Sequence, residues 1–361
     1  IAQCLVGSEM CIRDRYYGVK ENMPVLKERT YAIEEEFLSP YAAKSKDTKG
    51  RAREETPCEM RTDFQRDRDR IIYCKAFRRL KNKTQVFFSP EGDHYITRLT
   101  HTLDVAQIAR SLARVLALNE DLAEAAALGH DLGHTPFGHS GERILNKLAP
   151  CGFKHNVQSV RVVDVLEKDG RGLNLTFEVR DGILNHQKSG HPSTLEGMCV
   201  RIADKVAYIN HDLDDAVRAG VLKLSDVPDD ITSVLGNSSK ERINTAITSV
   251  WRESYGKNFV RMGQEVVDAS EALRAFMFER VYFTEFARGE EEKAERMLSC
   301  MYEYFMKNAD KLPKMFVSLL DKYPKEQVVC DYISSMTDRY AVYTFNRIFV
   351  PRGWSFGDEQ G

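Results

Sequence analysis

The sequence predicts an all-α protein, a helical bundle with at most a short β-hairpin, and three observations predict it. Apolar residues recur at steps of three and four along most of the chain after residue 98. Alternating patterns are confined to residues 85–88 and 173–179. There is no glycine-rich phosphate loop before a lysine, no dinucleotide fingerprint and no internal repeat, which disfavours the usual nucleotide folds. With 361 residues, 42% hydrophobic and 29% charged, the chain can bury a large core, in one helical domain or two smaller ones.

In order along the chain, Ile1 to Arg15 lack an initiating Met and a clear period, and residues 1–30 are expected to be non-native or poorly ordered. Residues 31–38 have helical character, and the polar stretch 45–56 reads as an exposed loop. Leu99, Leu103, Ala106, Ala109, Leu112, Ala113 and Leu116 place one face of a long helix on a core, with His101 in its first turn. Leu122, Ala125, Ala126 and Leu128 form a short helix running into His130-Asp131, after which Gly133, Pro136, Gly138 and Gly141 break the pattern. Thr135-Pro136 reads as a cap and first residue of a helix carrying His139, Glu142 and Arg143. Further helices are expected over 157–166, 177–184, 198–217, 266–286, 291–309 and 328–348. A site within 98–215 and a C-terminal helical part over 216–354 follow from this order.

Net charge is only −2, so nothing global draws the chain to nucleic acid or an anionic membrane. No apolar run reaches the roughly 18 to 20 residues of a membrane span. The eight cysteines contain no C-x-x-C pair and read as reduced thiols of a cytoplasmic protein rather than zinc ligands.

All nine histidines lie between residues 94 and 211. Imidazole-based chemistry is therefore confined to the middle of the chain. A metal that activates water wants neutral imidazoles and carboxylates with one position left open. His130-Asp131 offers both at a helix end, where the backbone is free to turn two neighbours onto one ion. Alone, such a dipeptide is more often a solvated or satisfied pair. The run from His130 to Glu142 is harder to explain structurally, because it sets His130, His134 and His139 with Asp131 and Glu142 among helix breakers.

Several motifs in order then resemble one family. They are the stretch from Arg61 to Ile72, Phe77 to Phe87, Arg98-Leu-Thr-His101, the run from His130 to Glu142, Ala203 to Asp215, and Met336 to Ala341. Together they look like the deoxyguanosine triphosphate triphosphohydrolase family of the HD-domain superfamily, over roughly residues 31–354. The resemblance implies an HD-domain bundle with peripheral helices, with His101, His130, Asp131 and Asp204 as ligands of a divalent ion (Mn, Mg, Fe or Zn). It implies hydrolysis of a deoxynucleoside triphosphate at the α-phosphorus, giving deoxynucleoside and tripolyphosphate. His139 is then the expected general acid for the leaving 5′ oxygen, with Glu142 three residues on to orient it. His134 would bind or polarise phosphate. His155, Lys205 and Tyr208 would contact substrate, although for His155 and Tyr208 capping or core packing are the bland alternatives. A homo-oligomer and a nucleotide effector are implied as well.

Arg98, one turn before His101, is the expected direct phosphate contact. The basic run 61–83 is usually a solvated helix face, but an anionic substrate or effector gives it a partner. His211-Asp212 is a second His-Asp pair, ranked below Asp204 by the resemblance alone. Two competing readings stay open. One is an HD phosphohydrolase acting on nucleoside monophosphates or cyclic nucleotides, with His134 and His155 on a second metal. The other is a silent nucleotide sensor or nucleic-acid-binding module.

Overall fold

The computed structural model describes residues 26–85, 96–282 and 285–351. Among them no strand forms, and the only β contacts are isolated bridges between Arg51 and Thr176 and between Thr84 and Thr97. The all-helical expectation holds.

α1 (Leu26–Phe37) starts five residues before the expected helix. The segment 45–56 is largely irregular, as expected, yet it is pinned rather than free. Ser45 donates from its backbone N–H and hydroxyl to the buried Glu34 at 2.7 and 2.6 Å. Arg51 inserts its guanidinium between Asp63 and Asp67. Most of the run stays exposed, and it is held at these two points, where the buried Ser45 and the guanidinium of Arg51 each meet a carboxylate.

α2 (Asp63–Tyr73) opens with a capping box made by Thr62 and Gln65, and α3 (Lys75–Arg79) follows it. The centre is built from α4 (Arg98–Val115), α5 (Glu120–Gly129) and later helices. The α5 residues Ala123, Ala125, Ala126 and Ala127 are nearly fully buried, and such small side chains let α2 and α4 approach closely. α6 (Gly138–Leu148) begins two residues later than Thr135-Pro136 suggests. Phe137 sits at φ 60°, so the chain cannot enter the helix before it, and the Thr135 hydroxyl instead donates to the Gly138 carbonyl at 2.8 Å.

α7 (His155–Arg161) continues through a π-helical turn, and α8 (Phe177–Leu184) matches its expected bounds. Residues 173–179 therefore do not form a strand, because Thr176 sits at the N-cap of α8. Of the other strand candidate, 86–88 lie outside the described residues. α9 (Leu195–Arg218) lies along α4 and carries Asp204. α10 (Asp229–Leu235) and α11 (Ser239–Ser254) fall where no pattern was recognised. α12 (Gln264–Met277) ends nine residues short of its expected limit and gives way to a π-helical turn. α13 (Glu285–Lys307) packs across α6, and α14 (Lys314–Val317) is a single turn. The helix expected over 328–348 is two, α15 (Lys325–Ser334) and α16 (Asp338–Phe349), because the Thr337 side chain caps a new start by accepting from the Tyr340 N–H.

A candidate metal centre and active site

Three elements deliver the four expected ligands to one place. His101 comes from the first turns of α4, His130 and Asp131 from the end of α5, and Asp204 from the middle of α9. The His101 Nε2 lies 3.2 Å from Asp204 Oδ1, and His130 Nε2 lies 3.4 Å from Asp131 Oδ1 and 3.7 Å from Asp204 Oδ1. Ligating atoms of His101, His130 and Asp131 all fall within 4.8 Å of one another.

The local reason His130 points inward is its position. A helix C-terminus leaves its last carbonyls without intrahelical partners, and His130 Nδ1–H donates to one of them, Ala127 O, at 2.6 Å. That bond leaves Nε2 as a bare lone pair, buried and without a hydrogen-bond partner among the described residues. Gly133 is required nearby, since a Cβ there would lie 2.2 Å from the backbone N of Ser159 as α7 crosses.

The electrostatics suit a cation. Burial opposes charge on Asp131, but His130, His134 and Arg98 outweigh it and hold the carboxyl well below the usual range. Burial also opposes charge on Asp204, and the close contact with His101 and the nearby imidazoles reverse that effect. Burial pushes the His101 imidazole down, towards the neutral form a metal requires. Two carboxylates and two imidazoles, one of them with an orphaned buried Nε2, fit a divalent ion with mixed N/O preference.

The other half of the site is a cluster of imidazoles. His134 stacks on His155 with centroids 4.0 Å apart, and His134 Nε2 lies 3.4 Å from Asp131 Oδ1. Burial, followed by the charge of Arg98, depresses His134 well below its ordinary value. His139 is exposed, and its Nδ1 lies 3.6 Å from Glu142 Oε2. The shorter bonds of Glu142 go elsewhere, to His155 Nδ1 at 2.8 Å and to the His155 backbone N–H at 2.9 Å. Glu142 thus satisfies an orphan donor at the start of α7, so orienting His139 is not its main contact. His155 opens that helix, and Asn156 donates its amide to Leu184 O rather than capping.

Of the remaining expected contacts, Arg98 is buried and donates Nη1 to Asp131 Oδ2 at 2.8 Å. It holds a candidate metal ligand, a contact that the expectation of a direct phosphate contact did not include. Lys205 bonds Glu271 at 2.7 Å, and Tyr208 lies one turn beyond Asp204 with its hydroxyl pushed up to about 12 by burial. The basic run is mostly neutralised: Arg61 pairs with Asp69, Arg70 with Glu55, and Arg68 with Asp121 and Glu124. Lys83, at its end, is fully buried and donates to the carbonyls of His134 and Ser334.

Sequence reasoning left the motif around Asp338 without a role, and the structure supplies one. Asp338 accepts from the Phe137 N–H at 3.0 Å through Oδ1, and from the Thr84 N–H and hydroxyl at 2.9 and 2.7 Å through Oδ2. It ties α16 to the loop between His134 and His139. Sequence reasoning missed His186 and weighed His211 only as part of a second His-Asp pair ranked below Asp204. His186 follows α8 as His130 follows α5, donates Nδ1–H to Ile183 O at 2.8 Å, and lies 3.2 Å from His155 Nε2, with burial lowering it to about 4. His211 faces His101 with Nδ1 atoms 3.2 Å apart. A histidine immediately after a predicted helix end was the signal for His186; for His211 it was the seven-residue spacing from Asp204.

Comparisons with known proteins give the family and the fold. The model of the HD domain matches residues 98–209, and that of the phosphohydrolase-associated domain matches 260–347. A deoxyguanosinetriphosphate triphosphohydrolase-like protein of Caldanaerobacter subterraneus subsp. tengcongensis is 60% identical, over 91% of this chain and 97% of its own length. Proteins with the same description from Desulfatibacillum aliphaticivorans and Clostridium tetani are 49% and 46% identical, over 90% and 91% of this chain and 98% and 97% of theirs. Among solved structures, a phosphohydrolase from Bacteroides thetaiotaomicron superposes with a TM-score of 0.51 at 16% identity, covering 77% of this chain and 67% of its own, which is a likeness of fold.

Proposed function

This chain belongs to the deoxyguanosinetriphosphate triphosphohydrolase-like family of HD-domain phosphohydrolases, and from that premise we propose that it hydrolyses a deoxynucleoside triphosphate at the α-phosphorus, releasing deoxynucleoside and tripolyphosphate. The observation that carries the reading is the convergence of His101, His130, Asp131 and Asp204 around the orphaned His130 Nε2. A divalent ion held by these four residues would supply Lewis acidity towards a phosphoryl group and would lower the pKa of water.

The chain's own groups do the rest. Arg98 fixes the Asp131 carboxylate, and the stacked His134 and His155 present ring nitrogens beside it for phosphate oxygens. His139 reaches solvent from the start of α6 and carries the proton that the departing 5′ oxygen takes. Tyr208, half-buried one turn from Asp204, offers a flat surface to the sugar.

The test is to incubate the purified protein with each deoxynucleoside and ribonucleoside triphosphate and Mn²⁺ and to identify the phosphate product. Tripolyphosphate is expected, with His130→Ala and Asp204→Ala abolishing turnover while the helical fold persists. Orthophosphate, or full activity in either variant, sinks the proposal. One observation favours a second reading: Asp131, His134 and His155 also bring ligand atoms within 4.8 Å of one another. A second ion there would suit a nucleoside monophosphate or cyclic nucleotide, and elemental analysis of metal per chain separates the two. On the family's example the chain would also form a homo-oligomer that responds to nucleotides, which light scattering with and without nucleotide measures.

A further inference from the structure

The His101 imidazole differs from those of His130 and His186 in what holds its far side. Both of the latter follow a helix, where a free carbonyl at i−3 takes the Nδ1 proton. His101 lies inside the first turns of α4, and among the described residues no backbone carbonyl takes its Nδ1. Its Nδ1 faces His211 Nδ1 at 3.2 Å, and His211 Nε2 is 2.9 Å from Asp104 Oδ2.

Hydrogen-bond direction fixes the whole chain from one end. An ionised carboxylate only accepts, so a neutral His211 carries its proton on Nε2 and presents a lone pair at Nδ1. His101 must then donate from Nδ1, which leaves the Nε2 lone pair facing Asp204. We propose that Asp104 and His211 are positioning residues that set the His101 tautomer, making its Nε2 a metal ligand. Imidazole ligands are commonly oriented through their other ring nitrogen in this way. Here the carboxylate acts through an intervening imidazole. It also stands in solvent, with 53% of its side chain exposed, so its substitution need not disturb the core. The inference rests on the metal reading of the four-residue site.

Metal affinity tests it without reference to turnover. Metal-stripped protein is titrated with Mn²⁺ and free ion is counted by electron paramagnetic resonance. Loss of an outer partner of this kind typically weakens binding about 10- to 100-fold. Asp104→Ala is expected near the lower end, because water takes over at an exposed position, and His211→Ala near the upper. His211→Asn places an amide oxygen where Nδ1 accepts and should recover much of the loss, whereas a role in packing alone would not be rescued. Turnover of Asp104→Ala should return towards the unsubstituted level at saturating Mn²⁺. Unchanged Mn²⁺ affinity in both alanine variants overturns the inference alone. If the unsubstituted protein itself takes up no Mn²⁺, the metal reading fails and the inference falls with it.

Discussion

Where the cradle is sealed at His101, His130 and Asp131, with side chains 1 to 4% exposed, and a quarter open at Asp204 (26%), the acid end of the site is open, with His139 78% exposed. The cradle is assembled from α4, α5 and α9 and braced by Arg98, Ala127 O and His211. The open end hangs on one loop and the first turn of α6, tied down from a distant helix by Asp338. The difference separates two jobs. Holding an ion demands buried, pre-oriented lone pairs that need not move. Passing a proton to a leaving group demands access to the substrate as it enters and leaves.

The comparison breaks most sharply at His139. His139→Gln removes the proton donor and leaves the cradle intact, so kcat should fall by roughly 10²–10⁴ while Mn²⁺ affinity and melting temperature stay put. Steady-state kinetics beside an Mn²⁺ titration checks this. A parallel loss of metal binding would show that the two ends are not separable.

A smaller effect is expected from the tether. Asp338→Ala leaves the Phe137 N–H, the Thr84 N–H and the Thr84 hydroxyl without their acceptor. An unsatisfied buried donor costs about 1–3 kcal/mol. Because Phe137 is held at positive φ beside α6, part of that cost should appear as misplacement of His139, lowering kcat about tenfold. Denaturant unfolding and kinetics are measured together. Lost stability with unchanged kcat would mean that the tether supports the fold and not the acid.

These two variants also mark how far the sequence could be read. His134, His139 and Glu142 were legible because they share thirteen residues with helix breakers around them. The partner of Glu142 was not, because spacing along α6 points to His139 and only the packing of α7 brings His155 to 2.8 Å. Asp204 was reached through family resemblance, since nothing in its own helix distinguishes it from Asp212. Helix periods read well where one face packs on a core, as in α4, α8 and α9, and failed for α16, which a cap separates from α15 in a continuous apolar pattern. Lys83 was unreadable in principle: a lysine in a basic run is ordinarily solvated, and burial here depends on carbonyls of His134 and Ser334, the latter 251 residues away.

The smallest effect concerns that same basic run. Its density of arginines suggested a phosphate surface, but α2 spends them on neighbouring carboxylates, and Arg68 in particular spans Asp121 at 2.9 Å and Glu124 at 3.3 Å on α5. A partly exposed pair of this kind contributes less than about 1 kcal/mol. Arg68→Ala should therefore shift the unfolding midpoint slightly and leave KM for a deoxynucleoside triphosphate where it was. A several-fold rise in KM would put the guanidinium on the substrate, and would move the boundary of the site out from the sealed cradle to the face of α2.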